Sequence, residues 1–250
     1  MIVIPSRNAS REEIQAGREG LAGILEHTFL SPTSGEKTFI PWLKLASHAG
    51  FAAICVSPFL VPHAVEAVRN GQNETTAVCS VISFPHGTAD RDTAYRQAEN
   101  MVKRGVTELD FVMNVGQFKD GARAYVFDSI VGVMNAARQA ATGDVKPEEI
   151  VFKVIIETSA LEDHEIFEAA QLVAETGADY IKTSTGFGSR GAEIEDLNII
   201  RAAAPELKIK ASGGIRTFEQ VVELAESGAS RIGTSRGLEI LDGYDTHFRR

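Results

Sequence analysis

Short runs rich in β-branched residues alternate along this chain with longer segments whose apolar residues recur every three or four positions. Eight runs read as strands, near Gly23–Phe29, Phe51–Ser57, Thr75–Ser83, Thr107–Asn114, Ile150–Thr158, Tyr180–Thr185, Leu207–Ser212 and Arg231–Ser235. Between them, Asp90–Arg104 gathers Ala94, Ala98, Met101 and Val102 on one helical face, and Asp163–Thr176 does the same with Ile166, Ala169, Ala170 and Val173. A further helix, about Ser10–Leu21, precedes the first strand. Gly50, Gly71, Gly105, Gly177 and Gly228 each stand between a helical stretch and the next strand, where a left-handed residue ends a helix. Thr217-Phe218-Glu219-Gln220 has the spacing of a capping box and marks a helix start after the seventh strand.

Eight βα units predict an α/β fold, a closed (β/α)8 TIM barrel with an extra N-terminal helix, as one domain over residues 1–250. Right-handed crossovers between parallel strands cover the sheet with helices, and closure leaves no edge. A doubly wound open sheet is the competing arrangement. Its dinucleotide fingerprint would put Gly-x-Gly-x-x-Gly after the first strand, where this chain reads Phe29-Leu30-Ser31-Pro32-Thr33-Ser34.

Barrel strands should be nearly all apolar, so ionisable groups inside them carry information. The fourth strand holds Glu108 and Asp110, the fifth Lys153 and Glu157, the sixth Lys182, and the seventh Lys208 and Lys210. Within each strand these positions share one parity and face one side. That side could be the interior, and for Lys153 and Lys208 the alternative is the bottom rim, as solvated or paired groups. Lys182 and Lys210 fall near the C-terminal ends of their strands, where barrel enzymes do chemistry. On adjacent strands at similar heights the two would lie about 5 to 8 Å apart and repel, so one amine is expected to give up its proton and add to a carbonyl. Asp110 would hold the other lysine charged and relay a proton.

Glycine-rich turns follow the last three strands: Gly186-Phe187-Gly188-Ser189, Ser212-Gly213-Gly214 and Gly233-Thr234-Ser235-Arg236-Gly237. Loops in these places form phosphate sites from backbone N–H groups and a helix N-terminus. Composition narrows the partners further. With 25 Lys and Arg against 34 Asp and Glu the formal charge is −9, which repels nucleic acid and anionic membrane surfaces. No apolar run approaches the length of a membrane span, and Cys55 and Cys79 sit in apolar runs without a Cys-x-x-Cys pair, which favours a reducing, cytoplasmic setting. The six histidines show no metal-ligand spacing, so no metal site is expected; His27 and His86 are read as hydrogen-bonding or loop-shaping groups at the mouth.

The segment Tyr180-Ile181-Lys182-Thr183-Ser184-Thr185-Gly186 resembles the signature of the deoxyribose-phosphate aldolase family, class I aldolases on a (β/α)8 barrel. Phe84-Pro85-His86-Gly87, Glu108-Leu109-Asp110-Phe111-Val112, Lys153-Val154-Ile155-Ile156-Glu157-Thr158 and Lys208-Ile209-Lys210-Ala211-Ser212-Gly213-Gly214 follow in the family's order, and the likeness runs from about Leu25 to Arg236. It implies reversible cleavage of 2-deoxy-D-ribose 5-phosphate to acetaldehyde and D-glyceraldehyde 3-phosphate, with no metal or organic cofactor, in a homo-oligomer of two or more copies. By the same resemblance Lys182 is the Schiff-base lysine, Lys210 the lysine that lowers its pKa, and Asp110 the aspartate of the proton relay. Cys55 matches a pocket-lining cysteine, Thr185 a substrate-contacting hydroxyl, and Gly186, Gly213, Gly214 and Ser235 phosphate-loop positions. Thr28, Gly233 and Arg236 complete the expected substrate-binding set. Three positions depart from the pattern: Glu26 replaces a common Asp and is expected to support the mouth, Phe187 stands where some members carry lysine, and Arg236 where a small hydroxyl is frequent. A related Schiff-base aldolase or thiolase with another sugar phosphate, and a silent phosphosugar-binding protein, are the competing functions.

Overall fold

Ten helices and eight strands alternate in the computed structural model, which describes residues 4–6, 9–71, 75–143 and 145–248. In chain order they are α1 (Arg11–Ala22), β1 (Leu25–Phe29), α2 (Glu36–Ala46), β2 (Ala53–Val56), α3 (Val61–Asn70), β3 (Ala77–Ile82), α4 (Arg91–Lys103), β4 (Glu108–Val112), α5 (Val115–Lys119), α6 (Arg123–Ala140), β5 (Val151–Ile155), α7 (Asp163–Thr176), β6 (Tyr180–Lys182), α8 (Ile194–Ala203), β7 (Lys208–Ser212), α9 (Phe218–Glu226), β8 (Ala229–Thr234) and α10 (Gly237–Phe248). All neighbouring strands pair in parallel and β8 returns to β1, closing the TIM barrel the alternation predicts. Among the described residues no helix is long and apolar enough to cross a membrane.

Local chemistry accounts for the element ends. Ser10 accepts the Glu13 amide at 3.2 Å while the Glu13 carboxylate accepts the Ser10 amide at 2.7 Å, a reciprocal cap that starts α1. Thr217 and Gln220 cap α9 in the same way. Gly50, Gly105, Gly177 and Gly228 take positive φ as expected, but Gly71 does not: it leaves α3 in extended geometry, φ −81°. Glycine is needed there for room, because a Cβ would lie 2.9 Å from the Ala67 carbonyl oxygen.

Strand residues facing outward, such as Ile54, Leu109, Val154, Ile181 and Ile209, join the helices in one large apolar core. The inward-facing set is different, since Glu26, Asp110, Lys153, Lys182 and Lys210 are all buried inside the barrel. Register fixes their heights: Asp110 lies opposite Lys153, and Lys182 lies directly opposite Lys210. Lys208 is exposed, with its ammonium 5.4 Å from the Tyr180 ring centroid. Lys153 takes the interior alternative and not the rim, being fully buried in the middle of β5. Glu157 lies beyond the end of β5 in a left-handed conformation, φ 53°, so it does not continue the strand's inward line.

Candidate active site

Six strands contribute to one buried cluster of charge. Lys182 and Lys210 each donate to the same oxygen of Asp110, Oδ2, at 2.7 Å. Its other oxygen accepts Lys153 at 3.2 Å and the Cys79 thiol at 3.2 Å. Lys210 also donates to Glu26, while Lys153 pairs with Glu108 at 2.5 Å and approaches Glu26 to 3.5 Å. Arg231 closes the cluster from β8, 3.7 Å from Glu26 and 3.6 Å from Glu108. Glu26 therefore corrects a second expectation, for it supports the lysines deep in the barrel and not the mouth.

A bare ion this deep would cost several kcal/mol, so each charge survives only through its partners. Burial pushes the Asp110 carboxyl up, but the Lys182, Lys210 and Lys153 charges outweigh it and hold the group well below the usual carboxylate range. Burial likewise pushes the Lys210 ammonium down, and Asp110 with Glu26 more than reverse this, so Lys210 stays protonated. The Lys153 ammonium is kept charged against burial by Glu108, Glu26 and Asp110. Among the described residues the cluster sets four basic groups, Lys153, Lys182, Lys210 and Arg231, against three carboxylates, Glu26, Glu108 and Asp110. One basic group has no carboxylate of its own. Lys182 is that group, because its one carboxylate contact is shared with Lys210 and it alone of the four lines the open cavity.

Cys55, Cys79 and Asp110 bring three possible metal-ligand atoms within 4.8 Å of one another, as do Glu26, Cys79 and Glu108. The Lys153 ammonium already contacts Cys79, Asp110, Glu26 and Glu108, supplying the positive charge a cation would bring. Neither set of donors is free for an ion.

Above Lys182 opens a cavity of about 350 Å³. Its walls include Thr28, Thr185, Gly186, Gly213, Gly214, Gly233 and Ser235, so the three glycine turns and the end of β1 converge on the amine. Gly186, Gly213 and Gly214 have φ of 87°, 91° and 75°, backbone that an L side chain resists. Gly233 packs its α-carbon against the lysine stem, where a Cβ would lie 3.1 Å from Lys210 Cε. The Thr185 hydroxyl is engaged by the Glu157 carboxylate, which also accepts the Thr185 amide at 3.0 Å and fixes the loop after β6.

Two of the expected substrate-binding residues stand apart from this cavity. Cys55 is fully buried on β2, directly opposite Cys79, and does not line it. Arg236 is exposed and pairs with Glu239 at 2.8 Å, while the cation on the cavity wall is Arg216, which sequence reasoning passed over. Arg216 follows the Ser212-Gly213-Gly214 turn, and that position was its available signal. His27 is buried on the outer face of β1, in register with Thr234 at the end of β8. Its Nδ1 accepts the Gly237 amide at 3.2 Å at the start of α10, and burial pushes its pKa down to about 4.

Residues 31–243 match the family described as DeoC/LacD family aldolase. The deoxyribose-phosphate aldolase of Dictyoglomus turgidum is 38% identical over 227 residues, which covers 90% of this chain and 98% of that protein. That of Thermococcus kodakarensis is 39% identical over 224 residues, 89% of this chain and 96% of the relative. Among solved structures, a putative deoxyribose-phosphate aldolase from Coccidioides immitis superposes with a TM-score of 0.81 at 32% identity, covering 97% of this chain and all of the other. The deoxyribose phosphate aldolase from Aeropyrum pernix, described as having a unique tetrameric structure, gives 0.81 at 26% identity over 96% of this chain and 100% of its own.

Proposed function

The chain belongs to the DeoC/LacD aldolase family, and from that premise we propose that it cleaves 2-deoxy-D-ribose 5-phosphate reversibly to acetaldehyde and D-glyceraldehyde 3-phosphate through a Schiff base on Lys182. The observation that carries this reading is the convergence of Lys182 and Lys210 on one Asp110 oxygen beneath a cavity walled by glycine turns. Lys182 in its neutral form attacks the aldehyde carbon of the sugar, and loss of water leaves a cationic imine that draws electrons from the adjacent bonds.

 The bond that then breaks is C2–C3. Its electron pair moves onto C2 and into the imine, giving the acetaldehyde enamine on Lys182, while the C3 hydroxyl loses its proton and becomes the aldehyde of the triose phosphate. Protonation of the enamine at C2 and hydrolysis by water then release acetaldehyde and free the amine.

Asp110 and Lys210 exchange the protons these steps require, since they are the acid–base groups nearest the amine. The phosphate lies away from the bonds that change, so the amides of the glycine turns and the Arg216 charge contribute binding and orientation. The tetrameric Aeropyrum pernix relative supports a homo-oligomer, and two free, buried cysteines fit a cytoplasmic setting. Borohydride added with acetaldehyde should reduce the imine and leave a stable adduct on Lys182, located by peptide mass mapping. Absence of an adduct, or an adduct on another lysine, overturns the assignment.

A further inference from the structure

Backbone pairing between β5 and β6 runs on past the ends of both strands, and there it loses step. The Ile156 amide donates to the Lys182 carbonyl at 3.1 Å, and the Thr158 amide donates to the Thr183 carbonyl at 2.9 Å. Two residues advance on one side against one on the other, so Glu157 is the extra residue of a bulge. It takes φ 53°, a left-handed conformation that L side chains resist and that persists only where the surroundings hold it. The bulge turns the side chain out of its own strand line and toward the next loop.

Both oxygens of that side chain are engaged. Oε2 accepts the Thr185 amide at 3.0 Å and also the Thr185 hydroxyl, and Oε1 accepts the Ser159 hydroxyl at 2.9 Å. Gly188 packs on the same carboxylate, for a Cβ there would lie 2.7 Å from Oε1. The turn from Thr185 to Gly188 is thus moulded around Glu157, although Glu157 does not itself line the Lys182 cavity.

The consequence falls on Thr185, which does line that cavity. A hydroxyl has one hydrogen and two lone pairs. The hydrogen is committed to Glu157, since a carboxylate has none to give, and one lone pair takes the Phe187 amide at 3.0 Å. A single lone pair is left. Any ligand group that reaches this oxygen must therefore donate to it, as a sugar hydroxyl does and an ionised phosphate oxygen does not. We propose that Glu157 is a positioning residue for cleavage of the sugar phosphate: it moulds the Thr185–Gly188 turn and holds the Thr185 proton, which makes Thr185 an acceptor for a hydroxyl of the sugar. This rests on the aldolase reading above. Such a contact binds substrate and transition state alike, so its loss raises KM more than it lowers kcat.

The test measures cleavage of 2-deoxyribose 5-phosphate by the full chain and its variants, with urea unfolding run beside it to confirm that each is folded. Glu157→Gly removes the carboxylate at a position whose φ glycine adopts freely. It should raise KM on the order of tenfold with kcat less affected, the effect of losing one hydrogen bond to the substrate. Glu157→Asn tolerates the same backbone with a shorter reach and should do likewise. Glu157→Gln keeps an acceptor oxygen at full length and should stay within about threefold of the unaltered protein. In a Thr185→Val background, Glu157→Gly should add less than about threefold, because the group through which it acts is gone. Unchanged KM in the Gly and Asn variants, a loss confined to kcat, equal factors in the two backgrounds, or a Gln variant as impaired as Gly each overturns the proposal and leaves the aldolase reading intact. Absence of cleavage by the unaltered protein overturns that reading itself.

Discussion

Lowering the pH should weaken this fold through His27. The ring is 1% exposed, stacked on Trp42 at 4.6 Å between centroids and tilted against Phe51 at 4.8 Å. Burial pushes its pKa from 6.5 down to about 4, against the opposing pull of a backbone hydrogen bond and the Glu239 charge. Below pH 6.5 the unfolded chain takes up a proton that the folded chain refuses until about pH 4, so the stability present above 6.5 is lost through that window. The loss amounts to about 2 kcal/mol at pH 5 and about 3 kcal/mol at pH 4. Urea unfolding at pH 7.5 and pH 5, run on the unaltered protein and on His27→Asn, isolates this contribution, because asparagine does not titrate and the other acidic groups are common to both. The unaltered protein should lose about 2 kcal/mol more than the variant between the two pH values. Equal losses would refute the reasoning.

Three further substitutions test the interior. Lys182→Arg should abolish turnover, because a guanidinium stays protonated and cannot attack a carbonyl; appreciable cleavage in a steady-state assay would remove Lys182 from its role. Lys153→Met leaves Glu108 and Asp110 short of a cation and should cost about 3–5 kcal/mol in chemical unfolding, whereas a loss under about 1 kcal/mol would mean that the pair contributes little net stability. Gly233→Ala should displace the Lys210 stem and lower kcat more than it raises KM; an effect on KM alone would assign Gly233 to substrate binding only.

The barrel was legible because the period of the apolar pattern switches eight times, and parity within a strand is enough to turn Asp110, Lys182 and Lys210 to one face. Height along the barrel axis was not. It depends on how strands are staggered, which is why the pattern leaves Lys153 between rim and interior and points Glu26 to the mouth, although register sets both among the other charges. Side-chain reach was equally hidden. Arg236 lies in the expected turn but folds back on Glu239, whereas Arg216 reaches the cavity wall from the preceding loop. Gly71 shows the same limit for backbone, since position after a helix suggests a left-handed turn and only the three-dimensional course of α3 reveals a need for space.

The ionic cluster draws on β1, β4, β5, β6, β7 and β8, with Glu26 near one end of the chain and Arg231 near the other. A half-barrel intermediate would hold ammonium groups whose counter-ions had yet to arrive, and water would have to solvate them. Recovery of catalysis during refolding is thus a checkpoint on complete assembly: it should lag behind secondary structure and coincide with the joining of the first and last strands.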